Sequence, residues 1–93
     1  DIMPLADVPS ASSPNGDGVN DIVFVRGFAI KSLNFQIFNR WGEKVFESTN
    51  QEKGWDGTYN GQPQEMDAYA FVLDVVFLDN TTFVKKGNIT LIR

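Results

Sequence analysis

Ala68-Tyr69-Ala70-Phe71-Val72-Leu73-Asp74-Val75-Val76-Phe77-Leu78 is the stretch on which the fold turns. Tyr69, Phe71, Leu73, Val75 and Phe77 fall on one face of an extended chain, and Ala70, Val72 and Val76 share the other with Asp74. A membrane span needs roughly 18–20 apolar residues, so this run is too short and carries a charge. It reads as a central strand buried on most of both faces. Asp74 stands alone there, as an outward polar position or a mark of a face that meets a partner.

Working outward, every regular segment has the same character. Ile22-Val23-Phe24-Val25, closed by Gly27, reads as the first strand. Leu33, Phe35 and Ile37 alternate with Asn34 and Gln36, a half-buried strand ending near Asn39-Arg40. Lys44-Val45-Phe46-Glu47 is its hairpin partner across Arg40-Trp41-Gly42-Glu43. Between Ser48 and Asp67 the pattern dissolves into turns, with Lys53-Gly54, Asp56-Gly57 and Asn60-Gly61. Asp79-Asn80 turns the chain into Thr81–Lys85, and Asn88–Ile92 makes a last strand. Pro4, Pro9 and Pro14, with Ser10-Ala11-Ser12-Ser13, suit a linker or an edge segment, so residues 1–12 read as an entering linker and 13–93 as the folded domain. No helical period is visible. The expectation is an all-β, Ig-like antiparallel sandwich of about seven strands.

Composition narrows the function. The 93 residues are 42% hydrophobic and 13% aromatic, with eight Phe and two Trp, enough for one folded domain. No cysteine and no histidine are present, which removes disulfides, thiolate and imidazole metal sites and His- or Cys-based nucleophilic machinery. The net charge of -4 argues against nucleic acid or an anionic membrane as partner. The charges are unevenly placed: Asp1, Asp7, Asp17 and Asp21 precede Arg26, and Lys85, Lys86 and Arg93 are all that follow Asp79. The chain starts at Asp1 rather than Met and shows no basic-then-apolar leader, so it reads as a piece of something larger.

Two motifs stand out. In Ser13-Pro14-Asn15-Gly16-Asp17-Gly18-Val19-Asn20-Asp21, Asn15, Asp17, the Val19 carbonyl and Asp21 fall on ligand positions of a calcium loop, with Gly18 at its turn. Ser13 and Phe24 occupy the places of the first acid and the bidentate Glu, so a complete hand is excluded. Calcium is the one candidate ion; the alternative is a structural turn held by Asn and Asp side chains. The second motif pairs Arg40-Trp41-Gly42 with Trp55-Asp56-Gly57. Its tryptophans either form a platform for sugar rings or plug the end of the sandwich with their N–H on a carbonyl, Arg40 stacking on a ring. The plug is the favoured expectation. No acid–base pair is nominated, so no catalytic residue is assigned.

These blocks resemble a known family, the gliding motility-associated C-terminal domain, or type B sorting domain, of proteins exported by the type IX secretion system of Bacteroidota. The resemblance is carried by Val8-Pro9, Ser13–Asp21, Ile37–Phe46, Trp55–Gly61 and Lys86-Gly87 leading into Thr90-Leu91-Ile92-Arg93, in order and at similar spacing. Ser12 stands where the family usually has an aromatic residue, and Asp67-Ala68 where it tends to have a glycine. Pro14, Asn15, Gly16, Asp17, Gly18, Arg40, Trp41, Gly42, Trp55, Asp56 and Gly57 match its structural motifs. The resemblance implies a non-catalytic export signal, read in the periplasm, that sends a larger protein to the outer-membrane surface or the exterior. It implies the type IX translocon and a PorP/SprF-like outer-membrane protein as partners. Lys85, Lys86, Gly87 and Arg93 are the expected recognition residues, a basic strand edge for docking or else an edge defended by lysines. A monomer is expected. The competing class is a carbohydrate-binding or adhesive module.

Overall fold

A computed structural model of the chain describes residues 6–8, 11–12 and 22–92. Among them lie nine strands and no helix: β1 (Ala6–Asp7), β2 (Ala11–Ser12), β3 (Arg26–Gly27), β4 (Ile30–Phe38), β5 (Lys44–Ser48), β6 (Thr58–Tyr59), β7 (Gln62–Pro63), β8 (Asp67–Phe77) and β9 (Thr82–Leu91). The main sheet has the order β2-β9-β8-β4-β5. Its inner face carries Leu33, Phe35 and Ile37 from β4, Tyr69, Phe71, Leu73, Val75 and Phe77 from β8, and Ile89 and Leu91 from β9, all buried. Period-2 placement of large apolar residues forces this result, because each strand has one face that must leave water.

The opposing layer is assembled from short pieces. β1 pairs with β3, and Val23 exchanges backbone hydrogen bonds with Trp55 in an isolated antiparallel bridge, at 2.7 and 2.9 Å. Ala6, Val8, Val23, Val25 and Trp55 drop from this layer onto the inner face of the main sheet. The chain changes layers between Asp7 and Ala11: β1 belongs to the short layer, whereas β2 lies parallel to the end of β9. Residues 6–7 and 11–12, read from sequence as linker or edge, are therefore edge strands, one in each layer. Tyr69, near the start of β8, donates its hydroxyl to the Glu65 carbonyl at 2.7 Å, the tyrosine corner of an Ig-like sandwich. The fold is all-β and Ig-like.

Four expectations are corrected. β8 is central, but only one of its faces is buried; Ala68, Ala70 and Asp74 are exposed and Val72 and Val76 half-covered. Small and β-branched residues suit the open face of a pleated sheet without demanding a cover. Ile22–Val25 is not a regular strand, since only Val23 meets a partner and β3 starts at Arg26. The last two expected strands are one, because β9 runs unbroken through Gly87. The Phe71 ring covers that glycine, with its edge 2.9 Å from where a Cβ would stand, and so supplies the missing side-chain packing. Finally, the β2–β9 pair is parallel within an otherwise antiparallel sheet.

Candidate functional site

The β4–β5 turn is built on Asn39. Its Oδ1 accepts from the backbone N–H of Trp41 (3.0 Å) and of Glu43 (2.9 Å), and its Nδ2 donates to Glu43 Oε1 (3.0 Å). The backbone closes the same loop through Asn39 N to Glu43 O and Gly42 N to Asn39 O. Gly42 sits at φ 82°, a left-handed angle that would strain a residue with a Cβ. This clamp holds Trp41 out in solvent, 73% exposed. The Arg40 guanidinium lies 5.6 Å from the centre of the Trp41 ring, and Arg40 Nε is 3.4 Å from Asp67 Oδ2. Beside the ring, at the sandwich end where β8 begins, is a hollow of about 220 Å³ lined by Trp41, Glu43, Pro63, Glu65, Asp67 and Tyr69, among others.

Trp55 has the opposite fate. It is buried, meets Tyr69 edge-on at 5.1 Å, and its indole N–H donates to the Thr58 carbonyl at 3.0 Å. Asp56 Oδ1 accepts from the Thr58 backbone N–H and hydroxyl, and the Gly57 carbonyl accepts from Gln64 N, so this turn sets up the β6–β7 hairpin. One tryptophan plugs the sandwich as expected; Trp41 does not.

The two lysines of the expected basic edge lie on opposite faces of the sheet. Lys85 is paired with buried Leu73 and faces inward, and its ammonium reaches out to the Asp7 carboxylate of β1. That hydrogen bond holds the Asp7 carboxyl below its ordinary range. Lys86 is paired with Val72 and points from the open face, with no ion pair among the described residues. Gly87 lies under Phe71. Arg93 lies outside the described residues, as do Pro14, Asn15, Gly16, Asp17, Gly18, Val19 and Asp21 of the candidate calcium loop. Among the described residues no three acids come together as a metal site. Along the outer edge of β9, β2 pairs at Thr90 and Leu91, and no other described strand pairs there from Thr82 to Ile89.

Sequence reasoning missed the grouping of Glu43, Pro63, Glu65 and Asp67 around Trp41. These residues come from three separate turns and strand ends, and no local spacing marks their approach. It also missed the polar row on the open face, where Glu47 gathers Asn34, Gln36 and Lys44. The alternation of Asn34 and Gln36 with the apolar residues of β4 does place both on that face, but not their shared partner.

The class these features define is a small Ig-like module whose distinctive surface elements are a displayed aromatic turn and a strand edge, as in domains that other proteins recognise. The CHU_C type IX secretion signal domain family matches residues 6–91, and the chain belongs to it. The match spans the Trp41 and Trp55 turns and the β8–β9 hairpin. Among curated proteins, none matches the chain. The domain is a type IX secretion signal, from a family of signals rather than catalysts, and interacts with that secretion machinery for export.

Proposed function

We propose that this domain, placed at the C-terminus of a larger protein, is gripped as a folded monomer by the type IX translocon together with a PorP/SprF-like outer-membrane protein. Through that grip it carries its parent from the periplasm to the cell surface or the exterior. The observation that carries the reading is the family match over residues 6–91, on a sandwich whose Trp41 turn is exposed and whose β9 edge pairs, among the described strands, only with β2 at Thr90 and Leu91. Lys86, on the open face and without an ion pair among the described residues, is the lysine of the expected pair that we assign to partner recognition. Lys85 contributes by holding β1 through Asp7.

We read the domain as a signal rather than a catalyst, as the family match supports. Among the described residues the clearly perturbed carboxyls, Asp7, Glu47 and Asp79, are all pushed down, the reverse of what a general acid at neutral pH requires. For the segment Asn15–Asp21 we propose that no calcium is held; an unchanged thermal melt in EDTA and in excess calcium is the expected result, and a melt raised by calcium overturns it. The test of export is a leader-bearing fluorescent reporter fused to residues 1–93 in a host with a working type IX system. Surface or medium fluorescence that disappears with the partner genes is expected, and a reporter that remains periplasmic overturns the proposal.

A further inference from the structure

We propose that the Trp41 turn and the acid-lined hollow beside it form a docking site for one cationic side chain, arginine or lysine, on an extended segment of a protein partner. The argument begins with exposure. A tryptophan with most of its surface in water is costly to display, and here the Asn39 clamp holds it there on a fixed backbone. Such rigid exposed aromatics supply large contact area at little entropic cost when a partner covers them.

Charge then selects the occupant. Glu43, Glu65 and Asp67 are the charged residues among the described lining of the hollow, and Arg40, which reaches Asp67 and the Trp41 ring from outside that lining, offsets only one of the three. The aromatic face is the negative pole of the ring quadrupole, so ring and carboxylates favour the same sign of ligand. The domain's own Arg40 already shows this chemistry, with its guanidinium against the Trp41 ring and on Asp67. A hollow of about 220 Å³ is of the size for one long side-chain head rather than a folded element. The site rests on the export reading only for the identity of the partner, which would be a component of the secretion machinery.

The test separates the two. A short blocked peptide with one central arginine is titrated into the domain, alongside its citrulline twin, which keeps the shape and loses the charge, and a chitin-type oligosaccharide. The readout is the indole N–H resonance of Trp41, with that of Trp55 as internal control. A saturable shift of Trp41 alone, seen with arginine and weakened by salt, is expected. Asp67→Asn, which keeps the reporting indole, should raise Kd about tenfold while the Trp55 resonance stays in place. Equal response to citrulline, response only to the oligosaccharide, or no response overturns the site. An exported reporter with an unresponsive Trp41 sinks the site alone. A responsive Trp41 with a periplasmic reporter upholds the site and sinks the export reading.

Discussion

Glu47 accepts three hydrogen bonds on the open face of the main sheet, from Asn34 Nδ2 (3.0 Å), Gln36 Nε2 (3.1 Å) and Lys44 Nζ (2.7 Å). All three favour the ionised carboxylate, Asn34 most, and they lower its pKa from 4.5 to about 2. A depressed acid contributes stability above its unfolded pKa and loses it as the pH falls through the folded value, because the unfolded chain then binds more protons. Asp7 and Asp79, also lowered, act in the same direction. Stability is therefore expected to be flat near neutrality and to fall between about pH 4.5 and 2. Glu47→Gln should flatten part of that slope, and urea titrations of both proteins at pH 6 and pH 2.5 provide the check. The two tryptophans make the residue scale instructive. Each stands beside a glycine turn, and sequence alone treats them alike, yet one is buried and the other exposed. What separates them is whether the second layer passes over the ring, a fact no local pattern contains.

Among the elements, β9 shows how tertiary packing overrides a break signal. Lys86-Gly87 reads locally as the end of one strand and the start of another, since glycine weakens a strand and often marks a bulge. The Phe71 ring, from the neighbouring strand, covers the gap and keeps the ladder continuous. Gly87→Val is therefore expected to force the buried Phe71 ring aside and destabilise the domain by about 1–3 kcal/mol. The midpoint of chemical unfolding should fall with its slope unchanged, and a variant as stable as the parent would show that the ring does not fill this space. β4, β5 and β8 were legible by their alternation and by the Arg40–Glu43 turn between β4 and β5. The cover on the second face of β8 was not there to be found, because alternation reports which residues differ in polarity and not how many layers the chain will build.

At the scale of the molecule, the crossing of residues 6–12 ties the two layers together. Ala6 and Val8 are buried in the core, Asp7 holds Lys85, and β2 closes the end of β9. Removing residues 1–12 should cost about 2–4 kcal/mol from lost burial and leave the Thr90–Leu91 edge unpaired. A lower melting temperature together with concentration-dependent association in sedimentation is the expected outcome. An equally stable monomer would show that these strands only decorate the fold. The same argument bears on the other end of the chain. Ile89 and Leu91 are core residues, so deletion of Asn88–Arg93 would confuse lost folding with lost recognition, whereas Lys86→Ala touches the open face alone.

The amino-acid sequence determined that this chain is a small all-β domain with no cysteine or histidine chemistry, and its motif blocks carried the resemblance to a secretion signal. Those properties follow from composition and from short-range alternation, which act within a few residues. Only the tertiary structure decided that Trp55 is a plug and Trp41 a display, that Lys85 is tied to Asp7, and that three acids gather at one end. Each of these depends on contacts between segments far apart in the chain, such as Val23 with Trp55 and Asp7 with Lys85, whose geometry exists only when the two layers have closed on each other.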